Sequence, residues 1–389
     1  LTNVSVAIVL RKPEISVNPV ISRTSALCDP AQGHRWGRGC PLVIYHKSTP
    51  WAGFRSTQTP RFHANPLECA GSYITCEVGM SALICGSLAY DTIMVFPDQF
   101  KEHILPDKVH ILNVSFLVPE MRREFGGVAG NIAYNLKLLG GEPFPMATVG
   151  DDFGPYQQHL ERLGISTRYV RHMHGEYTPQ AFITTDIDDN QITAFHPGAM
   201  RHSYLNRVAD TEGIKIGIVA PDSKAAMLQH SRDFVAAGIP HIFDPGQAMT
   251  LFNGEELAQF IEEAQYLVVN DYEFQLLKER TGLDGTAIAE RVEAMIVTRG
   301  AEGSVLRTRD GLTEIAPVEP DDVLDPTGCG DAFRAGLIHG LLNDLDLVTC
   351  CRIGSVLGAI KVARQGPQNH TPSFDEIQQR FLEAYGYRF

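Results

Sequence analysis

The sequence has no apolar run of the about 18 residues that a membrane span needs, and its charge is strongly biased toward acid. Its 46 acidic residues outnumber its 33 basic residues, which gives a net charge of −13. A surface with this balance repels the phosphates of nucleic acids. We therefore expect neither a membrane nor a nucleic acid as partner, and any phosphate ligand must be held by a local device such as a glycine-rich loop.

The eight cysteines and 14 histidines show none of the spacings that are typical of a transition-metal site. Cys350 and Cys351 are adjacent, and we expect the cysteines to be reduced thiols in a cytoplasmic protein. No internal repeat or low-complexity tract is evident. The length of 389 residues suits one large or two modest globular domains.

Residues 1–79 differ in composition from the rest of the chain. They hold eight Lys/Arg against four Asp/Glu, both tryptophans and half of the cysteines, without a periodic apolar pattern. A clean strand then follows Met80. We expect 1–79 to be disordered or an upstream extension outside the globular protein. An organelle transit peptide is the alternative, but no amphipathic helix supports it.

The second half of the chain alternates strand-like with helix-like segments. This rhythm is typical of a parallel sheet with helices on both faces. The predicted strands are 214–220, 239–243, 266–269 and 294–298, and the predicted helices are 224–237, 254–264 and 272–281. Ligands bind beyond the carboxyl ends of such strands, where the candidate residues are Asp244, Asn270, Glu273, Arg299 and Gly300.

Two regions break this rhythm and read as strands with polar alternation. They are 91–100 together with 114–122, and 169–194. Within the second region, 180–186 reaches the turn residues Asp188, Asp189 and Asn190 and continues as 191–195. This turn chemistry predicts a β-hairpin.

The most informative segment is 325–336, Asp-Pro-Thr-Gly-Cys-Gly-Asp-Ala-Phe-Arg-Ala-Gly. Apolar residues recur at helical spacing from Phe333 onward, so a helix should begin at the Gly328–Gly330 turn. Its unpaired amides and its dipole favour an anion. Asp331 would repel a static anion, but it can accept a proton from a hydroxyl that attacks a phosphoryl group. The alternative is an ordinary helix start with an aspartate in its first turn.

A second glycine-rich turn lies far upstream, at Gly126-Gly127-Val128-Ala129-Gly130-Asn131-Ile132-Ala133. An amphipathic helix is predicted to follow it and to end at Gly140-Gly141. Asn131 is either a structural residue near a helix start or a ligand for hydroxyls, because an amide both donates and accepts hydrogen bonds.

Together the two glycine-rich motifs resemble, in the same order, the signatures of the PfkB (ribokinase) family of sugar and nucleoside kinases. The resemblance covers residues 80–389. It implies an α/β fold, the ribokinase-like three-layer sandwich with a mainly parallel central sheet. It also implies that strands from about 91–122 and 169–196 form a small β-sheet lid, which excludes water from phosphoryl transfer.

The resemblance also assigns roles to residues of the acceptor side. It makes Asp331 the catalytic base, with the Gly328, Cys329 and Gly330 backbone around the transferred phosphoryl group. It assigns the acceptor sugar to Asp91, Gly127 and Asn131.

On the nucleotide side, Asn270-Asp271-Tyr272-Glu273 resembles the Asn-x-x-Glu motif of the family, in which Glu273 would hold Mg²⁺ through water. The same residues also fit a plain capping box. Thr298, Gly300 and Gly303 resemble the nucleotide loop of the family, with a hairpin turn as the structural alternative. The implied cofactors are ATP and Mg²⁺, and a monovalent cation is left open.

Three further segments have less specific predicted roles. Asp325 and Thr327 are expected to shape the anion loop. Asp244-Pro245-Gly246 departs from the Asp-Pro-Asn of the family, which puts a direct role of Asp244 in doubt. The segment 365–370 is a candidate for the adenine pocket or for a cation loop.

Within the family the sequence is most similar to bacterial adenosine kinases. We therefore expect ATP-dependent phosphorylation of the primary hydroxyl of adenosine to AMP, with Phe182 and Phe195 as candidates for stacking on the base. A ribokinase or other sugar kinase is the first alternative. An inactive nucleotide-binding protein is the second, although intact Asp331 argues against it. A monomer and a homodimer are both compatible with the sequence.

Overall fold

The computed structural model describes residues 81–104, 113–188 and 190–389. The predictions for residues 1–79 lie outside this described part. Among the helices of the described ranges, none combines the length and the apolar character that a membrane crossing requires. The cysteines of these ranges, Cys85, Cys329, Cys350 and Cys351, are free thiols.

A nine-stranded sheet forms the centre of the protein. Seven of its strands are parallel, and two antiparallel strands extend one edge. With strands numbered along the chain, the order across the sheet is β13 (Gly311–Ile315), β12 (Ser304–Thr308), β11 (Ala294–Thr298), β10 (Tyr266–Asn270), β9 (His241–Phe243), β8 (Ile214–Val219), β1 (Ser81–Cys85), β4 (Glu142–Val149) and β5 (Val170–His172).

Helices cover both faces of this sheet because alternate strand residues point in opposite directions. Along β1, Ala82 and Ile84 pack into one apolar cluster, and Leu83 and Cys85 pack into another. The helices are α1 (Phe100–His103), α2 (Val128–Leu138), α3 (Gly154–Arg162), α4 (Lys224–Ala237), α5 (Gly254–Glu263), α6 (Asp271–Thr281), α7 (Gly285–Ala289), α8 (Cys329–Leu342), α9 (Leu347–Val362) and α10 (Phe374–Tyr385).

The first cluster lies under α2, α3, α8, α9 and α10, and the second lies under α4, α5, α6 and α7. The predicted three-layer α/β sandwich is therefore confirmed. Helix α4 has the predicted bounds because Ser223 caps its start and Gly238, with φ of 66°, ends it.

A separate four-stranded sheet has the order β3 (Glu120–Gly126), β2 (Ala89–Val95), β6 (Gln180–Thr185) and β7 (Gln191–His196). Strands β6 and β7 form the predicted hairpin. The strand bounds differ from the prediction, because β2 ends at Val95 and not at residue 100, and β3 begins at Glu120 and not at residue 114. Phe100 begins α1, because its amide donates to Asp186 and its ring packs on Phe96 and Phe116. Strand β5, predicted as a lid strand, pairs with β4 of the large sheet instead.

Helices α8 and α9 approach each other at backbone distance. A Cβ atom on Gly336 would lie 2.5 Å from the backbone nitrogen of Gly354. This contact requires glycine and packs the middle of α8, which carries Asp331 in its first turn, against the middle of α9.

Gly336→Ala should lower the free energy of unfolding by about 1–3 kcal/mol, because an added methyl group must push two helix backbones apart. Gly358→Ala on α9 is the matched control. There the nearest atom to an added Cβ is the Cys329 carbonyl oxygen at 3.7 Å, and alanine favours a helix by about 1 kcal/mol over glycine. Urea unfolding measures both variants. Wild-type stability in Gly336→Ala would contradict the close packing.

Candidate active site

The loop before α8 has the geometry of an anion site. Gly328 adopts φ of 79°, and a Cβ there would lie 2.9 Å from the Cβ of Pro367, so only glycine fits. The Cys329 amide donates to the Pro326 carbonyl oxygen at 3.2 Å. Among the described residues the amides of Gly330 and Asp331 meet no acceptor. The Gly328 amide also meets no acceptor there, so the predicted Gly328–Gly330 turn and the Asp331 amide together offer three free donors.

Asp325 fixes the loop through hydrogen bonds with backbone amides. Its carboxylate accepts the amides of Thr327 at 2.9 Å and Gly366 at 2.8 Å. The ammonium of Lys361 donates to the Asp325 carbonyl oxygen at 2.7 Å, and burial lowers the pKa of Lys361. Thr327 therefore takes part in shaping the loop through its backbone.

Asp331 sits in the first turn of α8, where its carboxylate accepts a hydrogen bond from the Asn131 side-chain amide at 2.8 Å. Burial raises the pKa of Asp331 to about 6, although Asn131 and Arg334 partly oppose this shift. The sequence placed these two residues on separate helices 200 positions apart, and the structure joins α2 and α8 through them. A carboxylate of this pKa is basic enough to accept a proton near neutral pH.

One helical turn after Asp331, Arg334 forms a buried bidentate ion pair with Asp244, at 2.5 and 2.7 Å. It also donates to the Gly330 carbonyl oxygen at 3.1 Å. Asp244 therefore acts on Arg334 and through it on the anion loop. Its two oxygens are occupied by the guanidinium, so the structure gives it a role in holding the loop.

Asp91 faces the same site from β2. A Cβ on Gly126 would collide with its carboxylate, so Gly126 makes room for it. Burial, together with the negative charges of Asp331, Asp325 and Glu124, raises the pKa of Asp91 to about 7. Carboxylates gathered in this way can accept hydrogen bonds from a ligand with several donors, as sugar hydroxyls are.

The turn at Gly127 is equally specific. It has φ of 83°, and a Cβ there would lie 2.6 Å from both the Ala89 nitrogen and the Ser87 carbonyl oxygen. The backbone amide of Asn131 donates to the Gly127 carbonyl oxygen at 2.9 Å and so closes the first turn of α2. The predicted acceptor residues Gly127 and Asn131 thus belong to one rigid helix start.

The register of the small sheet separates the two predicted stacking residues. Asp91 pairs with Ala181, which pairs with Phe195, whereas Phe182 pairs with Thr92. Paired residues share a face, so Phe195 is on the face of Asp91 and Phe182 is on the opposite face. The structure does not bring Phe182 to the site that Asp91 lines.

The predicted nucleotide-side residues lie at the carboxyl ends of neighbouring strands. Asn270 and Thr298 are register partners in β10 and β11. Asn270 and Glu273 form the capping box of α6, with hydrogen bonds of 2.7 and 2.8 Å. Burial raises the pKa of Glu273, with Arg334 opposing it, so Glu273 also lies near the buried ion pair.

The predicted nucleotide loop is the turn between β11 and β12. Gly300 and Gly303 have φ of 56° and 81°, and a Cβ on Gly303 would collide with the Ile315 carbonyl oxygen. The Arg299 amide donates to the Gly303 carbonyl oxygen at 2.8 Å. The structural alternative of a hairpin turn is thus present, and the role of the turn in nucleotide binding stays a prediction.

A buried chain of hydrogen bonds continues from Asn131 through Gln368. The Gln368 amide donates to the Asn131 side-chain oxygen at 3.0 Å and to the Tyr156 hydroxyl at 2.8 Å. Tyr156 donates to the Gly126 carbonyl oxygen at 2.8 Å. Because Gln368 occupies the oxygen of Asn131, the amide nitrogen of Asn131 must face Asp331.

Residues 88–373 of the chain match the family described as pfkB family carbohydrate kinase. The chain is a pfkB-family kinase. Its fold agrees with a solved structure of Burkholderia thailandensis nucleoside kinase in complex with inosine, with a TM-score of 0.73 and 51% identity over 79% of this chain and 99% of that chain.

Two further relatives of this pfkB-family kinase are named after different acceptors. Nucleoside kinase from Methanocaldococcus jannaschii is 34% identical over 69% of this chain and 89% of the relative. Adenosine kinase from Saccharomyces cerevisiae is 27% identical over 67% of this chain and 84% of the relative.

Several contacts of this pfkB-family kinase were not predicted from the sequence, although the segment 365–370 was a candidate for the adenine pocket or a cation loop. The segment 365–370 lies against the acceptor residues, because Gln368 contacts Asn131 and Asn369 donates to Glu124 at 2.9 Å. No local pattern signals these long-range pairs. Arg334 could have been found, because it follows Asp331 by one helical turn, and an arginine in that position can reach the same loop.

Gln368→Met keeps the side-chain length and removes the donor that orients Asn131. We expect kcat to fall by about tenfold to a hundredfold, because a small displacement of a catalytic group has effects of this size. The KM for the phosphoryl donor should stay within about threefold. In an Asn131→Ala background, Gln368→Met should cause a clearly smaller loss than in the wild type, since the shared interaction is already gone.

The matched control is Gln378→Met on α10. Gln378 is also buried, and its amide donates to the Phe389 carbonyl oxygen at 2.7 Å, far along the chain from Asn131. It should change stability but not kcat. Additive losses in the Asn131 and Gln368 double variant would show that Gln368 does not act through Asn131.

Proposed function

We propose that this chain transfers the γ-phosphoryl group of ATP to the primary hydroxyl of a purine nucleoside, with adenosine as the acceptor expected from the sequence. The observation that carries the proposal is Asp331. It is a carboxylate with a pKa raised to about 6, placed beside the unpaired amides of Gly330 and of its own backbone. A base and an anion site at one helix start suit phosphoryl transfer.

Asp331 is the general base in this mechanism. At neutral pH it is largely ionised, and it accepts the proton of the acceptor hydroxyl as that hydroxyl attacks phosphorus in line. Asn131 keeps the carboxylate oriented toward the acceptor through their 2.8 Å hydrogen bond. The amides of Gly330 and Asp331 stabilise charge on the transferred phosphoryl group, because they are already oriented and need no rearrangement.

The acceptor sugar lies against Asp91, Gly127 and Asn131. Asn131 has one amide hydrogen left after donating to Asp331, so it can donate to a sugar oxygen as well. Asp91 can accept hydrogen bonds from a pair of ribose hydroxyls with its two oxygens. The Glu124–Asn369 pair extends the polar wall beside Asp91.

The nucleotide side fits ATP with Mg²⁺ held through water. One oxygen of Glu273 already accepts the Asn270 amide at 2.8 Å, which leaves the other oxygen for a water ligand of the ion. Bound Mg²⁺ would neutralise charge on the phosphates. Thr298, Gly300, Gly303 and Thr327 supply backbone and hydroxyl groups around this edge, and Arg334 keeps the adjacent loop in place.

The nucleobase is the feature that separates this function from ribose or fructose phosphorylation. Phe195 supports it, because this aromatic residue lies on the face of Asp91 and its side chain is 45% exposed. The inosine bound to the Burkholderia thailandensis relative and the name of the yeast relative also support a purine nucleoside.

Asp331→Asn should lower kcat by about a thousandfold and leave KM within about tenfold, because loss of a general base costs 10²–10⁴. The pKa of about 6 adds a pH signature. The base must be ionised, so wild-type kcat should fall as pH drops through about 6, and this limb should be absent from the residual activity of the variant. A variant that keeps more than about a tenth of wild-type turnover would exclude Asp331 as the base.

Adenosine should be used with kcat/KM at least about a hundredfold above that of ribose, since binding energy from the base helps to orient the reacting hydroxyl. A coupled assay across adenosine, inosine, ribose and fructose measures this ratio. Phe195→Ala should reduce the use of adenosine several-fold, because an aromatic contact contributes about 0.5–1.5 kcal/mol beyond its area. The use of ribose should change little.

Phe182→Ala is the matched control, because Phe182 lies one strand away on the opposite face and is exposed to a similar extent, 40%. Its adenosine-to-ribose ratio should equal that of the wild type. Equal or better use of ribose by the wild-type enzyme would make the chain a sugar kinase, while the proposed roles of Asp331 and the anion loop would remain.

A further inference from the structure

Three potential metal ligands meet at the sheet edge formed by β4 and β5, apart from the candidate active site. Asp151 follows the end of β4, His172 is the last residue of β5, and His174 comes two positions later. Their ligand atoms all lie within 4.8 Å of one another. The two imidazole rings are in edge contact, with centroids 4.5 Å apart.

The distances within this cluster suit a shared ion better than direct hydrogen bonds. Asp151 Oδ1 lies 3.3 Å from His172 Nε2 and 3.5 Å from His174 Nδ1. A charge-assisted hydrogen bond is shorter, about 2.7–2.9 Å. Ligands held about 2.0–2.1 Å from a tetrahedral Zn²⁺ are about 3.3 Å from each other. The three ligand atoms all lie within 4.8 Å of one another, so one ion can reach all of them.

The carboxylate is fixed in the orientation that such a site needs. Asp151 Oδ2 accepts the Gly175 amide at 2.8 Å, which leaves Oδ1 facing the two rings. The Asp151 amide donates to the Glu176 carbonyl oxygen at 2.9 Å. A ligand whose second oxygen is held by a backbone amide is partly preorganised for a metal. The exposed side chains leave a fourth position open to water.

We propose that Asp151, His172 and His174 bind a divalent transition-metal ion, with Zn²⁺ as the best fit. Two imidazoles with one carboxylate suit Zn²⁺, whereas Mg²⁺ prefers oxygen ligands alone. This ion is distinct from the Mg²⁺ that accompanies ATP. The proposal does not depend on the identity of the acceptor.

The site would link the large sheet to the segment that enters the small sheet. Residues 173–179 connect β5 to β6. Asp152, which follows Asp151 in the chain, accepts hydrogen bonds from the Thr178 backbone amide at 2.7 Å and from the Gln180 side-chain amide at 2.9 Å. A metal ion on Asp151 and His174 would therefore fix the start of this connection, and binding should raise the melting temperature.

The test is calorimetric titration of the full chain with Zn²⁺, repeated for His172→Ala, His174→Ala and a matched control, His103→Ala. His103 is also exposed and pairs with Asp98 at 2.8 Å, the distance of an ordinary hydrogen bond. We expect each of the first two variants to lose at least about tenfold in affinity at one site. The control should bind as the wild type does.

Residues 1–80 contain further cysteines and histidines, so only the difference between variants reports on this cluster. Titration with Co²⁺ distinguishes the two sources, because thiolate ligands give a strong charge-transfer band that a histidine and carboxylate site lacks. Equal Zn²⁺ affinity and equal Zn²⁺-induced thermal shift in the wild type, His172→Ala and His174→Ala would overturn the proposal.

Discussion

The buried ion pair between Arg334 and Asp244 positions the start of α8, and the chemistry of the site depends on that position. Removing two charges from water is costly unless they pair with good geometry, and this pair is bidentate. Arg334 then has a donor left for the Gly330 carbonyl oxygen. This contact holds the Gly330 peptide in place, beside the Gly330 and Asp331 amides that meet no acceptor among the described residues.

The same region carries a concentration of negative charge that the folded chain tolerates at some cost. Asp331 and Asp91 have pKa values raised to about 6 and about 7. A carboxyl whose pKa is raised on folding contributes stability below its unfolded pKa, near 4, and loses that contribution as pH rises through the folded value. These two carboxyl groups therefore lower the stability of the folded protein at neutral pH. A ligand that donates hydrogen bonds to both carboxylates offsets part of this loss.

Local patterns were sufficient to predict the helix starts but not the contacts between them. The Gly328 turn, the Asn270 capping box and the hairpin of β6 and β7 each follow from a few adjacent residues, and each is present. The Asn131–Asp331 hydrogen bond was not predicted: the family resemblance gave each residue a role in the site, but the bond joins helices far apart in the chain. The contacts of Gln368 with Asn131 and Tyr156 could not be predicted, since they form only when α2, α3 and the segment after α9 pack together.

The position of Phe195 on the same face of the small sheet as Asp91 could not be predicted either, for a different reason. Strand residues alternate between faces, so a shift of one position would exchange Phe182 and Phe195. The sequence does not give the register between β2 and β6. The structure places Phe195 on β7, an edge strand whose residues are all exposed. Asp331, Asn131 and Arg334 lie instead on packed helices joined by buried hydrogen bonds. In the proposed mechanism, base recognition therefore falls to an exposed edge strand and proton transfer to buried helix starts, so changes in β7 should alter the acceptor without disturbing the proposed base Asp331.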